Sequence, residues 1–203
     1  MAQQLKNRLG YLDPKSTLFL LCDVQERFRP VMRHFEGIIK NTHKLLSAGQ
    51  ILEVALIASE QYPEKLGRTV PELDVKHAIG VYPKTSFSML ADPDISAAVK
   101  LSTPSTALQS VVLFGLESHV CVEQTAMDLL CMNLSVHIVA DCTISRSDED
   151  RHLAFERLKQ IGCHITTSEN VIFKLMRDKN HPKFNDIRKL VSEPTTDTGL
   201  SKL

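Results

Sequence analysis

The sequence has 203 residues, 43% of them apolar and 24% charged, as is typical of a soluble globular chain that can bury a substantial core. Its 24 basic and 24 acidic residues cancel, so no net positive charge attracts phosphates, and we expect no nucleic-acid partner. No apolar run is long enough to span a membrane, and residues 1–10 lack the apolar segment of a secretory signal, so we expect no membrane association.

The cysteines are odd in number and scattered, without a Cys-x-x-Cys pair. They are Cys22, Cys121, Cys131, Cys142 and Cys163. This spacing favours neither a structural zinc site nor a disulfide framework, so we interpret them as reduced thiols, several of them packed in the core.

Short apolar segments alternate with helical patterns in the first half of the chain. The first predicted strand is Thr17–Cys22, and the second is Val54–Ala58. Between them a helix is predicted, with one apolar face formed by Phe35, Ile38, Ile39, Leu45 and Leu46. Residues 60–83 contain several prolines and glycines and are predicted to be rich in loops.

The second half repeats this alternation. After a short helix around residues 95–101, strands are predicted at Ser110–Gly115, Leu134–Ala140 and Cys163–Thr166. The intervening helices have apolar faces formed by Val122, Ala126, Leu129 and Leu130, and by Ala154, Leu158 and Ile161. Residues 147–150 form a capping box at the start of the second of these helices, and Ser168–Met176 is predicted as the last helix.

This alternation predicts the α/β class, with a mostly parallel, Rossmann-like sheet between two helical layers, a three-layer α/β/α sandwich. We expect one domain over residues 1–203, with a core at about 17–191 and a mobile tail at 192–203, where core-forming residues are few. The pattern does not fix the strand order.

Ligands of an open parallel sheet bind beyond the carboxyl ends of its strands. Asp23 follows the first strand, residues 60–62 follow the second, Cys121 follows the third, and residues 141–142 follow the fourth. A cysteine at a helix N-terminus is favoured as the thiolate, and nearby N–H groups can stabilise an oxyanion. Read separately, however, Cys121 also fits a packed thiol, Asp23 an ordinary strand end, and Lys84 a surface lysine.

Three segments are more informative in combination: Leu21-Cys22-Asp23-Val24-Gln25, Pro83-Lys84-Thr85-Ser86-Phe87-Ser88 and Gly115-Leu116-Glu117-Ser118-His119-Val120-Cys121-Val122. In this order and spacing they resemble the isochorismatase-like hydrolases, above all the animal isochorismatase domain-containing proteins. The resemblance extends from about Thr17 to Val191.

The resemblance implies about six parallel strands and a catalytic triad of Asp23, Lys84 and Cys121. It also implies a cis peptide between Leu116 and Glu117, an oxyanion hole formed by the backbone N–H groups of Glu117 and Cys121, and self-association into a homo-oligomer. Candidates to line the pocket of a small-molecule substrate are the side chains near these motifs: Gln25, Phe28, Tyr62, Phe87 and His119. His119 also fits a solvated helix start, and Phe28 and Phe87 also fit partly buried core positions.

Such a triad suits hydrolysis of a small amide or carbamoyl C–N bond through a thioacyl intermediate. Lys84 would stabilise the thiolate, while Asp23 would take the thiol proton and pass it to the leaving amine. Metal-binding nicotinamidases have Asp-x-His-Pro where this chain has Glu60-Gln61-Tyr62-Pro63, so we expect no metal and no cofactor, and nicotinamide is disfavoured. Isochorismate-type ether hydrolysis does not need the thiol. That activity, or a catalytically silent binding protein, is the alternative.

The sequence ends in Ser201-Lys202-Leu203, which matches the peroxisomal address that an import receptor reads at a free C-terminus. We therefore expect the peroxisomal matrix, with the cytoplasm as the alternative.

Overall fold

The computed structural model describes residues 2–103 and 106–200, with side chains from residue 5 onward. Within this part of the chain, six strands form one sheet in the order β3-β2-β1-β4-β5-β6, and every neighbouring pair is parallel. The strands are β1 (Thr17–Cys22), β2 (Ala55–Gln61), β3 (Gly80–Lys84), β4 (Ser110–Leu116), β5 (Ser135–Ile144) and β6 (His164–Thr166). The expected α/β class is confirmed.

Eight α-helices occur in the described ranges. They are α1 (Ala2–Arg8), α2 (Phe35–Ile51), α3 (Pro63–Leu66), α4 (Pro93–Leu101), α5 (Glu123–Cys131), α6 (Asp148–Gln160), α7 (Ser168–Met176) and α8 (Phe184–Val191). A π-helical segment, Ser118–Val122, leads directly into α5. None of these helices is long and apolar enough to cross a bilayer.

Alternate residues of the central strands pack into two apolar layers, one on each face of the sheet. Along β1, Phe19 and Leu21 pack with residues of α2, α7 and α8, whereas Leu18 and Leu20 pack with residues of α4, α5 and α6. The sheet is therefore covered on both faces. Because its central strands are fully buried, they have the continuous apolar sequences from which they were predicted.

β1 and β4 lie side by side at the centre, and their carboxyl ends approach each other closely at Gly115. This glycine has φ 126°, and a Cβ atom there would lie 2.0 Å from the carbonyl oxygen of Cys22. Only glycine fits the contact, which brings the end of β4 against the end of β1.

The structure differs from the sequence-based expectations at several places. β2 continues to Gln61, so Glu60 and Gln61 lie inside the strand and not after it. β3 forms within the stretch expected to be loop. β5 continues to Ile144, so Asp141 and Cys142 lie inside the strand and not after it. Ile161, expected to face inward, is 46% exposed, and α8 follows the helix that was expected to be the last.

Part of the tail expected to be mobile is bonded to the fold. The side chain of Asn41 donates to the carbonyl of Thr196 and accepts from its N–H, both at 3.0 Å. Arg151, buried in α6, donates to the carbonyls of Thr198 (2.5 Å) and Ala140 (2.8 Å). Residues 196–198 are thereby fixed against α2, β5 and α6, because buried groups of the fold need them as hydrogen-bond partners.

Candidate active site

Asp23 and Lys84 form a buried ion pair at the carboxyl edge of the sheet. Asp23 follows β1 with a positive φ of 53°, Lys84 ends β3, and Lys84 Nζ lies 2.7 Å from Asp23 Oδ2. The other carboxylate oxygen, Asp23 Oδ1, accepts a hydrogen bond from Ser59 Oγ at 2.7 Å. The two residues are 61 positions apart in sequence, and the strand order β3-β2-β1 places only the end of β2 between them.

The ammonium group of Lys84 is surrounded by oxygen acceptors. Besides Asp23 it donates to Gln61 Oε1 at 2.5 Å and to the carbonyls of Ser86 and Phe87 at 3.1 Å each. Burial lowers the pKa of Lys84, but the acidic groups of Cys22, Asp23 and Cys121 outweigh it and leave that pKa raised. Lys84 is therefore a positive charge at neutral pH.

Cys121 contributes its thiol to the same cluster from the segment that follows β4. It lies in the segment Ser118–Val122, in the first turn of the helical stretch that follows β4. Its Sγ atom, the Sγ atom of Cys22 and a carboxylate oxygen of Asp23 all lie within 4.8 Å of one another. Cys121 is 7% exposed, against 0% for Cys22, 1% for Asp23 and 3% for Lys84, so it is the most exposed of these four residues.

The main chain before Cys121 has the conformation that the resemblance implies. The peptide bond between Leu116 and Glu117 is cis. The carbonyl of Glu117 accepts from the N–H groups of Val120 and Val122 at 3.1 and 3.2 Å, which closes the turn around Cys121. The Glu117 side chain accepts from the N–H of Arg146 at 3.0 Å and is thus tied to the loop after β5. The oxyanion role of the Glu117 and Cys121 N–H groups stays a prediction.

The expected pocket residues occupy different surroundings. Gln25 is fully buried, and its amide bonds the backbone of Gln61 twice (2.8 and 3.0 Å) and the carbonyl of Gly67 at 2.6 Å. These hydrogen bonds hold the loop that contains Gln61 and Gly67. A role of Gln25 in lining the substrate pocket stays a prediction. Phe28 is half-buried and packs against the apolar layer that contains α2.

The other pocket candidates lie nearer the surface. Tyr62 and Phe87 are 46% and 52% exposed, and Phe87 contributes its carbonyl to the Lys84 ammonium. His119 is partly buried; its Nδ1 lies 2.9 Å from Ser145 Oγ and its Nε2 3.9 Å from Asp150 Oδ2. His119 is therefore a bonded side chain two positions before Cys121, not a freely solvated helix-start residue.

Sequence reasoning placed Gln61 at this edge of the sheet but did not single out two other contributors to the cluster, Ser59 and Cys22. A signal for Ser59 was present, because it is a polar residue within the apolar β2 and pairs in register with Cys22 of β1. That register could be used only once the two strands were known to be neighbours.

Cys22, Asp23 and Cys121 are also the one group of three potential metal ligands at coordination spacing within the described residues. Asp23, however, is already bonded to an ammonium and a hydroxyl. A divalent cation would have to approach or displace the Lys84 charge at 2.7 Å, which Coulomb repulsion opposes. The expectation of a metal-free reaction stays a prediction, and the group fits acid–base chemistry better.

Comparison with known proteins places the chain among relatives that share this architecture. Residues 17–170 match the isochorismatase domain. The chain is 47% identical over 192 residues to isochorismatase domain-containing protein 1 of Danio rerio, covering 95% of this chain but only 66% of that protein. Isochorismatase domain-containing protein 2 of the same fish is 43% identical, with 95% of both chains covered. The structure of MAR1 ribonuclease from Caenorhabditis elegans aligns with a TM-score of 0.86 at 40% identity, over 94% of this chain and 96% of that one.

Proposed function

Because the chain belongs to the isochorismatase family of hydrolases, we propose that it hydrolyses a small amide or carbamoyl C–N bond through a thioacyl intermediate on Cys121. The observation that carries the proposal is the position of the Asp23 carboxylate. It lies 2.7 Å from the Lys84 ammonium and within 4.8 Å of the Cys121 sulfur, at the strand edge where ligands of this fold class bind.

In the proposed reaction, Asp23 takes the Cys121 proton and the resulting thiolate attacks the substrate carbonyl. The N–H groups of Glu117 and Cys121 stabilise the oxyanion. When the C–N bond breaks, Asp23 gives its proton to the leaving amine, and a thioester remains on Cys121. Asp23 then accepts a proton from the water that attacks the thioester carbonyl. The C–S bond breaks, the acid is released, and Asp23 returns the proton to the Cys121 thiolate. Throughout, the Lys84 charge offsets the negative charge of this buried site.

The proposal is tested by acid-quenching the enzyme with a panel of small amides and carbamoyl compounds, followed by peptide mass spectrometry. We expect a substrate-derived acyl group on Cys121, and no hydrolysis by Cys121→Ala. Cys131→Ala, which changes an exposed thiol of α5, is the matched control and should hydrolyse like the wild type. Hydrolysis that survives Cys121→Ala would reject covalent catalysis on this thiol.

A second test uses thiol reactivity and needs no substrate. We expect iodoacetamide to alkylate Cys121 before the buried Cys22, Cys142 and Cys163, and at least as fast as the exposed Cys131. If Cys131 alone reacts in the folded protein, Cys121 is not an activated nucleophile. The chain would then be better described as a binding protein without turnover.

Ribonuclease activity is a second candidate, because the worm relative named MAR1 ribonuclease is 40% identical over 94% of this chain. Two observations weigh against it: the formal net charge is zero, and Asp23 and Lys84 lie too deep to contact a phosphodiester at the surface. Incubation with a fluorescent single-stranded RNA tests it, with Cys121→Ala and Asp23→Asn as controls. Cleavage by the wild type that both variants abolish would favour this candidate over amide hydrolysis.

The other expectations from the sequence also stay proposals: self-association into a homo-oligomer and import into peroxisomes. The tripeptide Ser201-Lys202-Leu203 lies outside the described residues. Its role is tested by the localisation experiment in the Discussion.

A further inference from the structure

Cys22 places a second thiol against the proposed nucleophile, and the reaction proposed above does not use it. Its sulfur lies within 4.8 Å of the Cys121 sulfur and donates to Asp23 Oδ2 at 3.5 Å. Of the five cysteines, these two alone share such a cluster in the described ranges, and both pack in the same apolar layer. A protein disulfide has an S–S length of about 2.05 Å, so the sulfur atoms would have to approach by less than about 3 Å.

We propose that Cys121 and Cys22 act as a peroxide-reactive thiol and its resolving thiol, which close into a reversible disulfide. This inference rests on the proposed function only in taking Cys121 as the reactive thiol; it requires no particular substrate. Exposure sets the order of events, because Cys22 is fully buried whereas Cys121 is 7% exposed. A small hydroperoxide can therefore reach Cys121 first.

The chemistry proceeds in two steps. The Cys121 thiolate attacks one oxygen of the hydroperoxide, so that an S–O bond forms, the O–O bond breaks, and hydroxide or alkoxide leaves. Cys121 is thereby oxidised to a sulfenic acid. Cys22 then gives its proton to Asp23, and its sulfur attacks the Cys121 sulfur. The S–S bond forms, the S–O bond breaks, and the hydroxyl group leaves as water after taking up the proton.

The surroundings of Cys22 fit the role of a thiol that reacts second. Burial, the hydrogen bond with Cys121 and the negative charge of Asp23 raise the pKa of Cys22, while Lys84 opposes this rise. Cys22 therefore keeps its proton in the reduced protein. Its sulfur reacts once Cys121 is a sulfenic acid, with Asp23 as the proton acceptor. Burial also raises the pKa of Cys163, to about 12, and it is the sole cause there.

The test treats the reduced full-length protein with hydrogen peroxide, blocks remaining thiols with N-ethylmaleimide under denaturing conditions, and maps the peptides by mass spectrometry. We expect a Cys22–Cys121 linked peptide that dithiothreitol releases. In Cys22→Ala we expect Cys121 to be oxidised to sulfinic and sulfonic acid, so that its recovery by dithiothreitol falls about tenfold. The matched control is Cys163→Ala, which removes another buried cysteine of the same layer and should behave like the wild type.

The inference is overturned if wild-type Cys121 proceeds to sulfinic acid without a linked peptide, or if Cys121 recovers equally well in Cys22→Ala. These outcomes differ from a failure of the proposed function. If iodoacetamide does not label Cys121 in the folded reduced protein, the nucleophile assignment fails and this inference fails with it. If Cys121 is labelled and no disulfide forms, the disulfide inference alone fails.

Discussion

At the scale of single residues, the buried pair of Asp23 and Lys84 is held by more than its mutual attraction. Ser59 bonds the carboxylate, while Gln61 and two main-chain carbonyls bond the ammonium. A buried ion pair gains little over apolar residues when intact, but losing one partner leaves an uncompensated charge in the interior. The pair is therefore sensitive to single substitutions.

We expect Lys84→Met to lower the free energy of unfolding by about 3–5 kcal/mol, because the Asp23 carboxylate then lies buried without a counterion. Urea denaturation measures this loss. The double variant Asp23→Asn/Lys84→Met should regain much of it, since the remaining charge is removed. Lys65→Met, at an exposed position of α3, is the control and should change stability by no more than about 0.5 kcal/mol. An unaffected Lys84→Met would show that the pair does not support the fold.

Alanine substitutions at two glycines with positive φ distinguish the effect of steric crowding on stability from that of backbone strain. A Cβ at Gly115 would overlap the Cys22 carbonyl at 2.0 Å, whereas a Cβ at Gly162 would meet no atom within 4 Å. We expect Gly115→Ala to lose more than about 4 kcal/mol of stability or fail to fold, and Gly162→Ala to lose about 1–2 kcal/mol from strain alone. Thermal and urea unfolding compare the two. Equal losses would mean that close packing of β1 on β4 is not what requires glycine.

At the scale of elements, α1 is bonded to the amino ends of β5 and β6, at the edge of the sheet opposite the candidate site. The carbonyl of Asn7 lies 3.0 Å from Nε2 of His164 in β6 and accepts from Ser135 Oγ at 3.2 Å. His137 of β5 stacks on His164 with ring centroids 4.7 Å apart. Burial, followed by the charges of His164 and Lys174, lowers the pKa of His137 to about 3.

This histidine couples stability to pH. His137 stays neutral in the folded chain down to about pH 3, but takes up a proton near pH 6.5 when unfolded. The stabilisation that comes from keeping His137 neutral is therefore fully present above pH 6.5. It is lost as the pH falls below that value, at about 1.4 kcal/mol of unfolding free energy per pH unit. We expect the wild type to lose about 2 kcal/mol more than His137→Gln between pH 7 and pH 5 in urea denaturation. An identical pH dependence in both proteins would contradict this assignment.

The elements also show where sequence patterns are sufficient and where they fail. The predicted span of β1 agrees with the structure because both faces of that strand are buried, so its residues are continuously apolar. β3 was missed because it is a five-residue edge strand that contains Pro83 and is only partly buried. The early end predicted for β5 has another cause: Asp141 and Thr143 are polar but buried, and the Asp141 carboxylate accepts from Ser168 N and Oγ at 2.7 and 2.6 Å.

The candidate site was only partly predictable. The strand pattern placed Asp23 and Cys121 at the carboxyl edge of the sheet, and only the family resemblance grouped them with Lys84. Lys84 reaches them through the position of β3, which no local pattern indicated. The hydrogen bonds of Gln25 could not be predicted because its partners, Gln61 and Gly67, are more than 35 residues distant in sequence. Such long-range hydrogen bonds leave no periodic signal.

At the scale of the whole molecule, the C-terminal segment is part of the folded structure. We expect truncation after Pro194 to cost about 2–5 kcal/mol, because Asn41 loses its bonds to Thr196 and the buried Arg151 loses its bond to the Thr198 carbonyl. Truncation after Leu200 leaves these bonds intact and should have the stability of the full chain. If both truncations equal the full chain in urea unfolding, the segment does not support the fold.

The chain that ends at Leu200 also tests the proposed location in the cell. With a fluorescent protein fused to the N-terminus, we expect the full chain to co-localise with a peroxisomal marker, because the import receptor reads a free Ser-Lys-Leu end. The chain ending at Leu200 should be distributed through the cytosol. A diffuse signal from both would show that the tripeptide is not used.

The edge position of β3 has a consequence for local unfolding. An outer strand has a hydrogen-bonded neighbour on one side only and is among the first parts of a sheet to open. Lys84 ends this strand, yet its ammonium is fastened to Asp23 at the sheet centre. Fraying of β3 would withdraw the cation from the carboxylate and leave a charge in the protein interior. The ion pair thus protects the strand from opening, and the closed strand in turn keeps the Lys84 ammonium beside the Asp23 carboxylate.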